Sequence, residues 1–517
     1  MYFGEPLSSV EVRILDRNAA ALGIPTELLM ENAGRAVVDA VESRIGSVKG
    51  RRVVVFAGAG GNAGDGITAA RHFASRGAVV RLYLLSKPEE LRPEASSLQY
   101  RAVHRTDLSI DVVLVREPAD IPESVEGDII VDALLGIGVR GRIRQPYARA
   151  IETINRSRGL KVAVDIPSGL DPDTGEELGP VVKANLTVTF HGPKKGMLRK
   201  PEYCGEIVTV SIGIPPEAWL YVGPGDVEYK VPRRGMRSHK GQAGRVLIVG
   251  GSETFTGAPA LAALAALRSG VDLVFVAAPS RAADVIASYS PDLITVKLGG
   301  SDYLVPEHVD VLKPWIERVD VVALGMGLGL RGETREAVLR LVEECHAQGK
   351  KMVVDADGIK HLAAEPEVLS RISVITPHEG EYRRLFGKAL PQDLLERGEA
   401  VRRTAEEFGT TILLKSYVDV VSDGRRLRFN KTGAPSMAVG GTGDILTGIV
   451  AAMLAKGLDP FNASCIAAFV NGLAGCLAYA EVGEGMKASD LLDRIPKAFG
   501  SPYDLFTKYL VYERVPR

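Results

Sequence analysis

The stretch SMAVGGTGDILTG, residues 436–448, sets one aspartate behind three glycines and ahead of an apolar run. Gly440, Gly441 and Gly443 strip side chains from the backbone, Thr442 is expected to cap a helix, and Ile445 to Ala455 reads as its buried body. Backbone N–H groups at a helix start attract anions, so phosphate is the first ligand to consider. A carboxylate beside an anion hole is a poor phosphate ligand. Asp444 is better suited to act as a base that takes the proton of a neighbouring hydroxyl.

A second group of polar residues lies in the first half. VVVFAGAGGNAGDG carries Asn62 and Asp65 in a glycine loop, and Gly58-x-Gly60-x-x-Ala63 formally satisfies a dinucleotide fingerprint. The next strand ends in LYLLSKPEE, offering Ser86 and Lys87 where a redox dinucleotide site needs an acid for the ribose. A redox site is therefore not expected. VDALLGIGVRGR adds Asp132, Gly136, Gly138, Gly141 and Arg142; VDIPSGLDPDTG adds Asp165, Ser168 and Gly169. Open parallel sheets bind ligands beyond the carboxyl ends of their strands, so the three loops are expected to share a pocket. Oxygen groups of Asn62, Asp132 and Ser168 suit a monovalent cation, and the glycine loops suit a pyrophosphate. His191, in TVTFHGPKKG, reads as a loop or packing histidine.

These residues need a scaffold, and the chain alternates β-branched runs with helical segments. Strands are expected at 51–58, 78–85, 127–136, 160–167, 184–192 and 206–213, behind two helices broken at Gly23-Ile24-Pro25. The runs are continuously apolar rather than alternating, which indicates a parallel sheet covered on both faces. The pattern restarts with RVLIVGGS, VDLVFVAAP, VDVVALGMGLG, KKMVVDADG, ISVITPHEG and TTILLKSYVDVVSDG as strands. The polar seam EAWLYVGPGDVEYKVPRRGMRSHKGQAG puts the boundary near 225, giving α/β domains at 1–225 and 226–517.

At 517 residues two cores are the natural expectation. A net charge of −1 gives no global support for nucleic-acid or membrane binding. Cys204, Cys345, Cys465 and Cys476 show no CxxC spacing, which fits a reducing cytoplasm and argues against a zinc site. The opening MYFGEPLSSVEVRILDRN lacks the apolar core of a signal peptide. ASCIAAFVNGLAGCLAYA, 463–480, is expected to be a helix buried against the one beginning near Asp444, not a membrane span.

AGAGGNAGDG, VDALLGIG, VDIPSGLDPDTG and TVTFHGPKKG, in that order, resemble the NAD(P)HX epimerase domain over about residues 8–215. The resemblance implies a Rossmann-like sheet with Asn62, Asp132 and Ser168 as potassium ligands. Gly61, Asn62, Ala63, Gly64 and Asp65, with Gly136, Ile137, Gly138, Val139, Arg140, Gly141 and Arg142, would hold the hydrated nucleotide. Asp165 would be both a substrate contact and the catalytic acid/base. Where the family pattern has two asparagines and two glycines, this chain has Gly61-Asn62-Ala63-Gly64, keeping the second asparagine.

HKGQAGRVLIVGGSETFTGAPALAALAALRSG, GMGLG, VDADG, TPHEGE and FNKTGAPSMAVGGTGDILTG resemble the ribokinase-like NAD(P)HX dehydratases over about 238–500. Members use a nucleoside diphosphate or triphosphate to remove water from hydrated NAD(P)H. The resemblance implies that Ala258, Gly327, His378 and Asp444 contact the hydrate, with Asp444 catalytic. Lys415, Ser416, Tyr417, Val418, Asp419 and Gly443 would contact the nucleotide. Ser416 replaces the family's usual glycine. His378 alone reads equally as a helix cap, and Asp357 as structural rather than metal-binding. The fused arrangement resembles microbial members, which implies ADP, converted to AMP and phosphate and carrying Mg2+. The two activities would be R/S epimerisation of NADHX or NADPHX and dehydration of the S form. A cytoplasmic homo-oligomer with small-molecule substrates, and no nucleic-acid or membrane partner, is expected. A vitamin-type kinase fused to an unrelated domain, or a scaffold of the kind used in mRNA decapping, would be the rival readings; retention of Asn62, Asp132, Asp165 and Ser168 disfavours a degenerate site.

Overall fold

A computed structural model describes residues 4–105, 109–237 and 239–509. The chain divides into two compact units, Met1–Pro215 and Pro216–Arg517. The division precedes the expected 225. The segment around 225 is the helix Pro224–Lys230, and its fully buried Asp226 pairs with Arg428 at 2.9 Å and Lys230 at 3.0 Å. Those pairs tie the apparently polar seam into the second unit.

The first unit is built on β1 (Arg52–Ala57), β2 (Val79–Leu84), β3 (Ile110–Leu114), β4 (Glu126–Ala133), β5 (Arg158–Val164), β6 (Leu186–Phe190) and β7 (Glu206–Val210). All pair in parallel, in the order β3-β2-β1-β4-β5-β6-β7. The order reverses between β1 and β4, so the ends of these two strands open a crevice suited to a ligand. β3 was not expected: IDVVL is short and largely half-exposed at the sheet edge, so it lacks the continuous apolar signature of its neighbours. Helices Ser9–Ala21 and Thr26–Ile45 precede the sheet. Gly66 lets the helix Gly61–Ser75 lie directly on β4, because a Cβ there would stand 2.2 Å from the Ala133 methyl.

The second unit contains β8 (Arg245–Val249), β9 (Leu273–Pro279), β10 (Ile294–Leu298), β11 (Val321–Leu324), β12 (Lys351–Val354), β13 (Val374–Ile375), β14 (Thr411–Leu414), β15 (Asp419–Ser422) and β16 (Leu427–Asn430). Their order is β10-β9-β8-β11-β12-β13-β14-β15-β16, parallel up to β14 and antiparallel beyond it. TTILLKSYVDVVSDG is thus two strands rather than one. It folds back at 415–418, where Asp419 accepts from Ser416 N at 3.1 Å and from Asn430 Nδ2 at 2.9 Å. β10 and β16 were also unexpected, being short strands of mixed polarity.

The helix Thr442–Ala455 is buried from Ile445 to Leu454 and packs against the helix Gly257–Arg268. Gly448 permits this approach, since a Cβ would meet Ala262 O at 2.0 Å. The following helix, Pro460–Val482, packs on it. Among the described residues it is the one helix long and apolar enough to cross a membrane, and 89% of its most apolar window is buried inside the protein.

Candidate functional sites

In the first unit, Asn62, Asp132 and Ser168 converge from three chain segments. Asp132 closes β4 and has no exposed surface. Its carboxylate accepts from Ser168 Oγ at 2.6 Å, Ser168 N at 2.8 Å and Leu134 N at 3.2 Å. Leu135 links the third member: its N donates to Ser168 Oγ at 2.9 Å, while its O accepts from Asn62 Nδ2 at 3.1 Å. Asn62 Oδ1 is buried and lacks a partner among the described residues. Burial of an unpaired carbonyl oxygen costs about 1–3 kcal/mol unless something donates to or coordinates it. Burial also pushes the Asp132 carboxyl up to about 6 despite the Ser168 bonds. An orphaned amide oxygen beside an anionic carboxylate and a hydroxyl fits a monovalent cation.

Gly61, Asn62, Ala63, Gly64 and Asp65 do not form a free loop; they are the first turn of the helix Gly61–Ser75, with Gly60 as an N-cap that carries no side-chain bond. With no side-chain cap, its first-turn N–H groups stay available to an anion. The stretch Gly136, Ile137, Gly138, Val139, Arg140, Gly141 and Arg142 remains irregular, with Gly141 at φ +68° and Gly138, Arg140, Gly141 and Arg142 exposed.

Asp165 follows β5 with φ +65°, an uncommon backbone state for a residue with a side chain. Its Oδ1 takes a short hydrogen bond from Lys194 Nζ and accepts from Phe190 N at 3.1 Å and Thr189 Oγ1 at 3.3 Å. Lys194 is wholly buried, and its ammonium also donates to Thr189 Oγ1, Phe190 O and Gly192 O. Burial holds the Asp65 carboxyl well above its usual range, with the charges of Asp165 and Asp16 adding to the effect. Asp65, Asp165 and Lys194 thus form one electrostatic group. Lys194 was not singled out from the sequence, although it stands in TVTFHGPKKG; a second cation in a polar loop gives no sign that one of the two is interior. His191 in the same loop is buried, with Nε2 3.7 Å from Asp16 Oδ1.

In the second unit, a cavity of about 680 Å³ is lined by His378, Lys415, Ser416, Tyr417, Asp419 and Gly443, together with Thr432–Pro435, Met437, Ala438, Thr442, Leu446 and the helix face of Ala468, Asn471 and Gly472. Five of the six expected nucleotide contacts line it. Val418 is buried and lies outside that lining. The hairpin turn and the helix N-terminus are thereby brought to one place, although 24 residues separate Asp419 from Gly443 in sequence. Asn471 Oδ1 is buried in the wall without a partner among the described residues, an acceptor available to a ligand donor.

Thr442 does not cap its helix. Gly441, at φ +103°, is the N-cap, and Thr442 Oγ1 donates to Met437 O at 2.9 Å. A Cβ at Gly441 would be 2.8 Å from Ala488 and Leu261 side-chain atoms, so glycine is needed for both conformation and space. With no side-chain cap, the first-turn N–H groups stay available to an anion. Asp444 stands in that turn. Burial, then the nearby charges of Asp355 and Asp357 opposed by Lys415, raise its carboxyl from 3.8 to about 7.

Asp355, which the sequence reading passed over in favour of Asp357, lies at the centre of the network. It follows β12, is 1% exposed, pairs with Lys415 Nζ at 2.7 Å and accepts from Thr447 Oγ1 at 2.7 Å. Burial works against the Lys415 ammonium, but Asp355, with Glu381 and Asp444, holds it above its usual pKa. Gly325 of GMGLG makes room for this strand end: a Cβ would stand 1.9 Å from Asp355 O. Asp357 instead accepts from Gly329 N and pairs with Lys360, both at 2.9 Å. Burial lifts Asp419 to about 6.

His378 caps the helix Glu379–Phe386, its Nδ1 accepting from Gly380 N at 3.0 Å and Glu381 N at 3.3 Å, while the ring borders the cavity. The two readings of this histidine are compatible. Ser416 Oγ accepts from the buried Arg397 Nη1 at 3.2 Å, which also pairs with Glu379 at 2.6 Å. Ala258 and Gly327 adjoin each other around Phe255, a Cβ at Gly327 falling 3.7 Å from that of Ala258, and both lie outside the cavity lining. Among the described residues no group of three or more His, Cys, Asp or Glu is arranged to hold a metal ion.

Comparison with known proteins gives two family matches: a YjeF-related protein N-terminus over residues 26–196, and NAD(P)H-hydrate dehydratase over 246–497. The bifunctional NAD(P)H-hydrate repair enzyme Nnr of Hyperthermus butylicus is 50% identical over 99% of this chain and 96% of its own length. That of Pyrobaculum aerophilum is 48% identical over 95% of this chain and 98% of its own. A ribokinase-like superfamily protein from Enterococcus faecalis V583 overlays 55% of this chain and 96% of its own at a TM-score of 0.48 and 25% identity.

Proposed function

We propose, for a chain that belongs to the family of bifunctional NAD(P)H-hydrate repair enzymes, that its first unit interconverts R- and S-NAD(P)HX and its second dehydrates the S form with ADP. The observation that carries the dehydratase assignment is Asp444: a carboxyl raised to about 7, in the uncapped first turn of a helix bordering a cavity that also holds Lys415.

Hydroxide is a poor leaving group and phosphate a good one. Asp444 takes the proton from the C6 hydroxyl of the hydrate as its oxygen bonds to the terminal phosphorus of ADP and AMP departs. The electron pair on the ring nitrogen then expels phosphate from C6, and the iminium ion so formed gives up a C5 proton to the departing phosphate or to water, which restores the dihydropyridine. Proton acceptance contributes about 10²–10⁴-fold, and the N–H groups of Gly441 to Gly443 stabilise charge on the transferred group. Lys415 neutralises the phosphates, while Tyr417, 67% exposed at the cavity rim, is free to cover the base. Mg2+, where it accompanies the nucleotide, would be held chiefly by the phosphates and would supply neutralising charge there.

In the first unit Asp165, pinned by Lys194, is the acid/base. Asn62 Oδ1, Asp132 and Ser168 would hold potassium, which would supply positive charge for a pyrophosphate near the uncapped helix Gly61–Ser75. All four cysteines are free and buried, in keeping with a cytoplasmic enzyme, and its assembly is taken to be a homo-oligomer. NADHX turnover followed at 340 nm, with ADP and ATP compared, tests the reading. Absence of nucleotide-dependent NADH formation would refute it.

A further inference from the structure

The proton acceptor at Asp444 does not act in isolation. Asp355 Oδ1 holds Lys415 Nζ at 2.7 Å, and Oδ2 accepts from Thr447 Oγ1 at 2.7 Å. Thr447 Oγ1 also lies 3.1 Å from Gly443 O, one turn back toward the helix start. One fully buried carboxylate thus fastens both the helix that bears Asp444 and the lysine that borders the anion hole. The proximity can be measured at Gly443: a Cβ there would lie 3.3 Å from Lys415 Nζ and 3.9 Å from Asp355 Oδ2. A side chain at 443 would occupy the space where lysine, carboxylate and helix N-terminus meet.

We infer that Asp355 is a positioning residue that aims Lys415 at the transferred phosphoryl group, fastens the start of the helix bearing Asp444 through Thr447, and sets the charge that Asp444 faces. The inference rests on the dehydratase reading of the second unit. An unpaired carboxylate in this position would repel the nucleotide; Lys415 cancels that charge while remaining free to turn its other two N–H donors toward phosphate. Asp355 lies outside the cavity lining and acts through Lys415 and Thr447.

The groups acting on Asp444 are Asp355 after β12, Asp357 at the next helix start and Lys415 after β14; Glu381, from the helix capped by His378, acts on Lys415. Asp357 is already neutralised by Lys360. Replacing Asp355 removes the strongest like charge facing Asp444, so ionisation of Asp444 becomes easier. Removing Lys415 has the opposite sign, since it deletes the attracting cation and leaves Asp355 uncompensated.

The test is the pH profile of kcat/KM for dehydration by the full chain, whose acidic limb reports the base in the free enzyme. Asp355→Asn should move that limb down by about one pH unit, and Lys415→Met should move it up by a similar amount. Thr447→Val keeps every charge and should lower the rate while leaving the limb in place. A residue that only braces the fold would change melting temperature and rate but not the limb. Wild-type dehydration with an acidic limb unmoved in Asp355→Asn, or in Lys415→Met should the first variant not fold, overturns the inference. Wild-type enzyme that never dehydrates the hydrate overturns the dehydratase reading instead. The melting transition of the second unit, followed on the same samples, reports their integrity.

Discussion

Replacing Asp444 by Asn keeps the size of the side chain but removes the ability to take a proton, and it should make the second unit both slower and more stable. The rise of the carboxyl from 3.8 to about 7 corresponds to about 4 kcal/mol against the fold once the group is ionised, at about 1.4 kcal/mol per unit. The helix dipole offsets up to about 1 kcal/mol of this for a first-turn carboxylate. The folded-state value lies above the unfolded one, so the neutral acid favours the fold. That stability is fully present below about 3.8 and is lost as pH rises through about 7. At pH 8 the variant should therefore be about 3 kcal/mol more stable than the wild type, and near pH 4 by less than about 1 kcal/mol. Because Gly441 rather than Asp444 caps the helix, no capping loss of about 0.5–2 kcal/mol works in the other direction. Dehydration should fall by about 10²–10⁴-fold with nucleotide affinity within a few-fold. Wild-type turnover should itself drop about tenfold between pH 8 and pH 6 as Asp444 becomes protonated, whereas residual turnover of the variant should not follow that curve. Urea unfolding and the 340 nm assay on one preparation decide the matter. A variant that is less stable at pH 8 and still active would refute the reasoning.

Epimerisation should depend on potassium, and Asn62→Ala should raise the potassium requirement at least tenfold; unchanged rates with potassium replaced by a bulky organic cation would exclude the site. Since Asp132 must be ionised to hold a cation and its carboxyl sits at about 6, apparent potassium affinity should weaken as pH falls through that value, as read by titration of epimerase activity. Lys194→Met leaves the Asp165 carboxylate buried without its cation and should cost about 3–5 kcal/mol; adding Asp165→Asn should recover most of the stability but no epimerase activity. Residues 1–215 and 216–517, expressed separately, should each fold and carry one activity, whereas a division after 225 leaves Asp226 with Arg428 and Lys230 but strips Tyr221 and Val222 from Phe429 and should destabilise the second piece; soluble pieces obtained only by co-expression would show a shared core.

Much of the arrangement was legible in the chain because its signals are local. Continuous β-branched runs marked the buried parallel strands, and glycine before Asp444 marked a helix start, since both follow from short-range sterics and burial. The loops carrying Asn62, Asp132 and Ser168 were each visible at a strand end, and parallel topology alone implied that they would meet. Edge strands β3, β10 and β16 escaped notice because a strand exposed on one side needs no unbroken apolar run. Thr442 was misread as a cap, since only the path of the chain from Met437 shows where its hydroxyl finds an acceptor. That residues 216–225 pack with the second unit was not legible, because Tyr221 and Val222 meet Phe429 and Arg428 only across two hundred residues of chain. Lys194 and Asp355 were hidden for the same reason. A charged side chain in a short motif carries no mark of whether water or an opposite charge surrounds it. Sequence by itself determined the two α/β patterns and the residues able to do chemistry. Only the tertiary structure decided which charges are buried together, and so which carboxyl is left able to take a proton near neutral pH, because desolvation and charge pairing depend on neighbours brought close by folding.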